Sequence, residues 1–128
     1  MSAAERASQR ITEIVGSWPG VEFGPGRRGE FGFRLGGREL GHLHGDYVAH
    51  FSFPAKVGQA LKDEGRVVDH PVFPGKPGFA ARAMSDQADV DDVIDLMRLN
   101  YDRILARGGN TRHPASELIQ SPVLGRRG

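Results

Sequence analysis

The spacing of apolar residues near the N-terminus is typical of a helix. Apolar positions recur at intervals of three and four at Ala4, Ala7, Ile11, Ile14 and Val15. This spacing predicts an amphipathic helix over residues 2–16. Ser2 lies three positions before Glu5, which predicts a capping box at the start of this helix, and Gly16 is expected to end it.

Two more helical patterns follow along the chain. The longer one has apolar positions at Val90, Val93, Ile94, Met97, Leu99, Tyr101, Ile104 and Leu105. Ser85 is its expected N-cap, and Arg103 and Arg107 lie near its end, where the helix macrodipole favours cations. A shorter apolar stripe between Pro54 and Gly65 predicts a third helix, because proline fits the first turn and glycine ends a helix.

Between the helices, apolar and polar residues alternate with the period of two that is typical of strands. Residues 31–35 show this alternation, and Gly36-Gly37 predicts a hairpin turn into a strand from Arg38 to His44. Further extended segments are expected at residues 21–23, 48–53, 67–68 and 79–83. The order predicts an α+β fold: an antiparallel sheet of about five or six strands with three helices packed mainly on one face.

Length and composition limit the classes of protein. The chain has 128 residues and a formal net charge of +1, which fits one globular domain, expected over residues 1–109. Residues 110–128 are predicted to form a basic, loosely structured tail. The chain has no cysteine and no long apolar segment, which excludes thiolate chemistry and predicts a cytoplasmic protein without a membrane partner. The small net charge makes nucleic acid an unexpected partner, and the oligomeric state is left open.

Histidine supplies the best candidate for chemistry. Four of the five histidines lie between residues 42 and 70, at His42, His44, His50 and His70. The ordinary pKa of histidine lies near neutral pH, and its imidazole also binds metals. No P-loop or dinucleotide-binding motif accompanies the cluster, so no cofactor is predicted apart from a histidine-bound metal.

Two registers of the predicted hairpin place these histidines differently. A two-residue turn at Gly45-Asp46 pairs His44 with Tyr47 and sends His50 to the opposite face from His42. A three-residue turn through Tyr47 puts the three histidines on one face and the apolar residues on the other. The need to bury one face favours the second register, whereas glycine at the first loop position favours the first.

The cluster admits three interpretations: surface histidines on a solvated strand, a metal site, or general acid–base catalysis. A metal needs three or more ligands at about 2.0–2.2 Å. A general base needs a pKa near the working pH and an orienting partner, for which Asp46 and Asp69 are candidates. Three further residues are predicted to contact a ligand: Arg82, which can hold an anion, and Tyr47 and Asp46 in the hairpin turn.

These residues resemble the luciferase-like domain family over residues 30–105. The resemblance rests on Glu39-Leu40-Gly41-His42-Leu43-His44, on His50, on the Pro54-led helix and on Asp69-His70-Pro71. The family includes the luciferases of bioluminescent fungi and many bacterial proteins. The resemblance implies a compact domain with a pocket lined by the four histidines, where a pyrone luciferin meets oxygen in the fungal enzymes. The membrane anchor and light emission of those enzymes are not carried over to this chain.

Two functions follow as hypotheses. In the first, the four histidines are catalytic and bind a small aromatic or enolic molecule, with acid–base or cofactor-independent oxygen chemistry. In the second, the chain is a non-enzymatic module that contacts protein or nucleic acid through its Arg-rich tail, in which case binding would be sensitive to salt. The sequence leaves open whether the protein is an enzyme.

Overall fold

The structure is a computed structural model that describes residues 7–111 of the chain. Its elements in chain order are α1 (Ala7–Val15), β1 (Val21–Pro25), β2 (Phe31–Leu35), β3 (Arg38–His44), β4 (Val48–Ser52), α2 (Ala55–Asp63), β5 (Val68–Asp69), β6 (Phe79–Ala83) and α3 (Gln87–Thr111). The capping box predicted at Ser2 and Glu5 lies outside the described residues, as does the predicted tail beyond Thr111.

The six strands form one antiparallel sheet in the order β1-β2-β3-β4-β6-β5. The first four strands are neighbours in both sequence and space because short turns connect them. After β4 the chain passes through α2 to the edge strand β5 and returns as β6 between β5 and β4. The α+β fold, its strand number and its order of elements are therefore as predicted.

All three helices contribute to one hydrophobic core, to which the sheet adds one face. The strand residues in this core are Phe33, Leu40, Leu43, Ala49, Phe51 and Ala80. Ile11 of α1, Leu61 of α2 and Val93 of α3 belong to the same cluster. The face of the sheet that points away from this core is called the histidine face below, because His42, His44 and His50 lie on it.

The ends of α2 and α3 show how local residues set their limits. Pro54 precedes α2, and Gly65 follows it with a φ of 76°, a conformation that glycine adopts without strain. At the start of α3, the Asp86 carboxylate accepts the backbone N–H of Asp89 at 2.9 Å. The predicted N-cap, Ser85, is therefore wrong by one residue; its own N–H donates to the Asp89 carboxylate at 2.8 Å.

A β-bulge interrupts the pairing of β2 and β3. Phe33 lies opposite Gly41, whereas the next residue, Arg34, lies opposite Glu39, so Leu40 is the extra residue. A bulge reverses the alternation of side chains beyond it. Glu39 therefore shares the histidine face with Arg34, although regular alternation from His42 would place it on the core face.

Within the described part of the chain, no helix combines the length and the apolar character that crossing a bilayer requires.

Candidate functional site

The β3–β4 hairpin has the three-residue turn Gly45–Tyr47. His42 lies opposite His50, and His44 lies opposite Val48. Leu43 and Ala49 between them point into the core and are fully or almost fully buried. The register favoured by burial is thus confirmed, and it brings three histidines to one face.

The imidazoles form one contiguous cluster. Ring centroids are 5.0 Å apart for His42 and His44, 5.3 Å for His42 and His50, and 4.5 Å for His44 and His50. His70 adds a fourth ring, 4.1 Å from that of His50. The structure therefore brings together all four histidines proposed from the sequence.

His70 differs from the others in its hydrogen bonding. Its Nδ1 accepts the backbone N–H of Val72 at 3.0 Å, within the loop that leads from β5 to β6. A nitrogen that accepts a hydrogen bond carries no proton, so the neutral ring holds its proton on Nε2. His70 is therefore a hydrogen-bond donor toward its surroundings.

Burial keeps His50 and His70 neutral. Desolvation lowers the pKa of His50 to about 4, and the nearby rings of His70, His44 and His42 act in the same direction because charges of like sign repel. Desolvation also lowers the pKa of His70. Both residues are more than nine-tenths buried, whereas His44 is exposed. Near neutral pH, His50 and His70 are uncharged.

Glu39 orients the ring of His42. Its Oε2 lies 2.9 Å from His42 Nδ1. Because an ionised carboxylate only accepts hydrogen bonds, Nδ1 carries the proton and the lone pair is on Nε2. Glu39 thus fills the orienting role that the sequence assigned to Asp46 or Asp69. The alternating pattern could not reveal it, since the bulge at Leu40 turns Glu39 to this face.

Two aromatic residues missed by the sequence analysis stand beside His70. Phe73 and Phe79 stack with centroids 4.7 Å apart, and Phe73 lies 5.2 Å from the His70 ring. Lys62 of α2 fixes the loop over residues 70–78, which carries Phe73, because its Nζ contacts Asp69 Oδ1 and the Lys76 carbonyl, each at 2.8 Å. The loop covers the His50 side of the cluster through His70, whose ring centroid lies 4.1 Å from that of His50.

The other side of the cluster borders two glycines. Gly32 lies opposite His42 on one side and opposite Gly24 on the other. A Cβ at Gly24 would meet no atom within 4 Å, and one at Gly32 would meet only His42 Cβ at 3.9 Å and Glu39 Oε1 at 4.0 Å. These two residues, the glycine strip, place no side chain beside the oriented imidazole; Gly24 is half-buried and Gly32 is buried.

Arg82 is not part of the cluster. It lies opposite Ala49, so its side chain is on the core face of the sheet. Its guanidinium donates to Asp89 at 2.7 Å, to Asp92 at 2.6 Å and to the Arg66 carbonyl at 2.8 Å. A surface cavity of about 320 Å³ beside it is lined in part by Arg66 and Asp89. Three of its five N–H groups are used in these contacts, and the two carboxylates balance the positive charge that would attract an anionic ligand.

The two other predicted ligand contacts, Asp46 and Tyr47, and the candidate orienting partner Asp69 have hydrogen-bond partners outside the cluster. Asp46 accepts the backbone N–H of Ser8 in the first turn of α1 at 2.8 Å. Tyr47 is exposed in the hairpin turn, and its carbonyl accepts the N–H of Met84 at 2.8 Å. Asp69 binds Lys62, as described above. These three residues connect elements of the fold.

The fold and the site define an α+β domain with a histidine-lined sheet face. Residues 37–100, which are 64 of the 128 residues, match the family model of the luciferase domain. The chain therefore belongs to the luciferase domain family. The matched segment contains all four clustered histidines and Glu39. No curated protein and no solved structure matches the chain.

Proposed function

We propose that the histidine face binds a small, flat, ionisable molecule, aromatic or enolic, and that His42 takes up its proton. The observation that carries this proposal is the hydrogen bond between Glu39 and His42. It leaves the lone pair on His42 Nε2, and it stabilises the imidazolium that forms when this nitrogen accepts a proton. Both effects are requirements of general base catalysis.

We place the ligand-binding site on the glycine strip. Side chains on a sheet normally keep other molecules away from the backbone, but Gly24 and Gly32 lie side by side with no Cβ. A planar ring laid on this strip would contact the edge of the His42 ring. The loop over residues 70–78 covers the opposite side of the cluster, so the ligand approaches from the glycine strip. Membership in the luciferase domain family supports an enolic ligand.

Binding as an anion gives the first test. In the metal-free full chain, phenolic and pyrone compounds are compared by calorimetry with their O-methyl ethers, which have no acidic proton. We expect ionisable compounds to bind at least about tenfold more tightly, which is about 1.4 kcal/mol. Calorimetry in buffers of different ionisation enthalpy should show proton transfer to the protein. Equal affinity for the compounds and their ethers would contradict the proposal.

Variants locate the site. Glu39→Gln should weaken binding several-fold because the imidazolium loses its carboxylate, and Gly32→Val should abolish binding by filling the strip. Glu22→Gln is the matched control, since Glu22 flanks Arg34 on the β1 side just as Glu39 does on the β3 side. If Glu22→Gln and Glu39→Gln weakened binding equally, the assignment of His42 as proton acceptor would fail.

A bound enolate is richer in electrons than the neutral ligand and is therefore the form that reacts with oxygen. Oxygen consumption by the complex, measured with an electrode, tests whether the domain goes beyond binding to catalysis. His42→Gln is the comparison, because it removes the proton acceptor and should lower the rate. An unchanged rate would show that any oxygen chemistry is independent of this histidine.

A further inference from the structure

We infer that His42, His44 and His50 bind a divalent transition-metal ion. Each of these residues offers one imidazole nitrogen, and the three nitrogens lie within 4.8 Å of one another. A tetrahedral ion with metal–nitrogen bonds of about 2.1 Å places its ligand atoms about 3.4 Å apart. Small rotations of the side chains would bring the three nitrogens to that spacing. The inference is independent of the organic ligand proposed above.

The backbone that carries the ligands is well suited to a metal. His42 and His44 are separated by one residue on β3, and His50 lies directly opposite His42 on β4. Strands position side chains more rigidly than loops do, which lowers the cost of assembling a coordination site. The buried residues Leu43 and Ala49 hold the hairpin to the core from the other face.

Glu39 supplies the outer partner that histidine ligands usually have. Metal-bound histidines commonly donate their second ring N–H to a carboxylate, which fixes the tautomer and increases the basicity of the ligand nitrogen. The 2.9 Å contact between Glu39 Oε2 and His42 Nδ1 has this arrangement. The nitrogen left for the metal is therefore His42 Nε2.

The fourth histidine is set apart from the ligands. His70 Nδ1 is used by the Val72 N–H, so its Nε2 carries a proton and cannot bind a metal without losing that bond. Three protein ligands leave the remaining coordination positions open, which is typical of catalytic rather than structural sites. An all-imidazole set favours zinc, cobalt, nickel, copper or iron over magnesium and calcium.

A metal and a proton compete for the same lone pair on His42. Occupancy by the metal would therefore prevent the proton uptake proposed above, and the two states can be measured separately. The organic ligand is tested on chelator-treated protein, whereas the metal is tested alone. Failure of either experiment leaves the other intact.

The experiment is a titration of the full chain with Co²⁺, whose visible absorption strengthens when it moves from water into a site with fewer ligands. The decisive variant is His44→Gln, because His44 is exposed and its replacement leaves the core untouched. We expect His44→Gln to weaken binding at least about tenfold, and Glu39→Gln to weaken it about tenfold through the outer partner. Zn²⁺ should displace the Co²⁺.

Two controls complete the design. His70→Gln should leave the affinity for Co²⁺ nearly unchanged, and so should His113→Gln, which removes the one histidine outside residues 42–70. Circular dichroism confirms that each variant is folded. The inference is overturned if Co²⁺ binds no more tightly than about 1 mM, or if His113→Gln reduces binding as much as His44→Gln does.

Discussion

Replacement of Asn100 by alanine tests how the core fixes the bulge that turns Glu39 toward the histidines. Asn100 lies on α3 and is fully buried. Its Nδ2 donates to the carbonyl of Leu40, the extra residue of the bulge, at 3.0 Å, and to the carbonyl of Ser52 at 3.3 Å. Its Oδ1 accepts a hydrogen bond from Arg103 at 3.1 Å. One amide therefore serves two carbonyls on two strands.

The magnitude follows from the groups left without partners. A buried carbonyl that loses its hydrogen bond costs about 1–3 kcal/mol. The bond to Leu40 is the shorter and the more deeply buried, so it should account for most of the loss. Together the two carbonyls give an expected destabilisation of about 2–4 kcal/mol. For a domain of this size, that corresponds to a decrease in Tm of about 8–16 °C.

Urea denaturation, followed by circular dichroism, measures the change in the free energy of unfolding. Arg103→Ala is the matched control, because it removes only the donor to Asn100 Oδ1 and leaves both carbonyls bonded; since one acceptor instead of two loses its partner, it should cost less than Asn100→Ala. The imidazole ¹⁵N shifts of His42 report its tautomer. In Asn100→Ala we expect them to move toward a tautomer mixture, since a loosened bulge weakens the bond from Glu39.

A loss below about 1 kcal/mol with an unchanged m-value would refute the reasoning, because it would show that water or backbone adjustment replaces the amide. A large loss of stability that leaves the His42 tautomer unchanged would refute the prediction that Asn100 holds the bulge and, through it, the bond between Glu39 and His42. In that case the bulge would be stable without Asn100, and the amide would contribute to stability alone.

Three other predictions concern the cluster and its supporting loop. Gly58→Ala should lower stability in urea by more than about 1 kcal/mol despite the helix propensity of alanine, because the new Cβ would clash with the backbone of Pro77 and Gly78 in the loop before β6. A more stable variant would contradict this. Protonation of His50 should leave the free energy of unfolding unchanged above pH 6.5 and lower it as the pH falls toward about 4. In that range the unfolded chain binds a proton at this histidine, whereas the folded chain, in which the pKa of His50 is about 4, does not. Solvent screening on the open side reduces the expected loss to about 1–2 kcal/mol, and His50→Gln should flatten the pH profile. Lys62→Met should speed hydrogen exchange in the loop over residues 70–78, whereas Lys56→Met, at an exposed position on the same helix, should not.

Much of the fold could be predicted because it depends on patterns within short segments. Alternation identified the strands, and the need to bury Leu43 and Ala49 on one face selected the three-residue turn over the two-residue turn. That choice then placed His50 opposite His42. The position of His42, His44 and His50 on one face could therefore be predicted from local periodicity combined with burial.

The remaining features of the site depend on contacts between distant segments. Glu39 reaches the histidine face only because Leu40 forms a bulge, and the bulge is bonded by a residue 60 positions away. Arg82 was expected to hold an anion, but its guanidinium is paired with Asp89 and Asp92 on α3. The sequence shows the charge of Arg82 but does not distinguish a free arginine from one that is paired with a helix on the same face of the sheet. Such pairings become visible only when the helix is packed on the strands.

Charge balance connects the two proposals for the histidine face. A proton on one imidazole of the cluster makes a further proton on His50 less favourable, because charges of like sign repel. Glu39 supplies one negative charge by hydrogen bond, so one proton on the cluster gives a neutral unit. When a divalent ion replaces that proton on His42, the unit carries one positive charge. The oxygen of a deprotonated ligand would neutralise this charge. We therefore expect Co²⁺ to increase the affinity for the ionisable compounds and not for their O-methyl ethers; an equal effect on both would show that the metal and the ligand do not share this face.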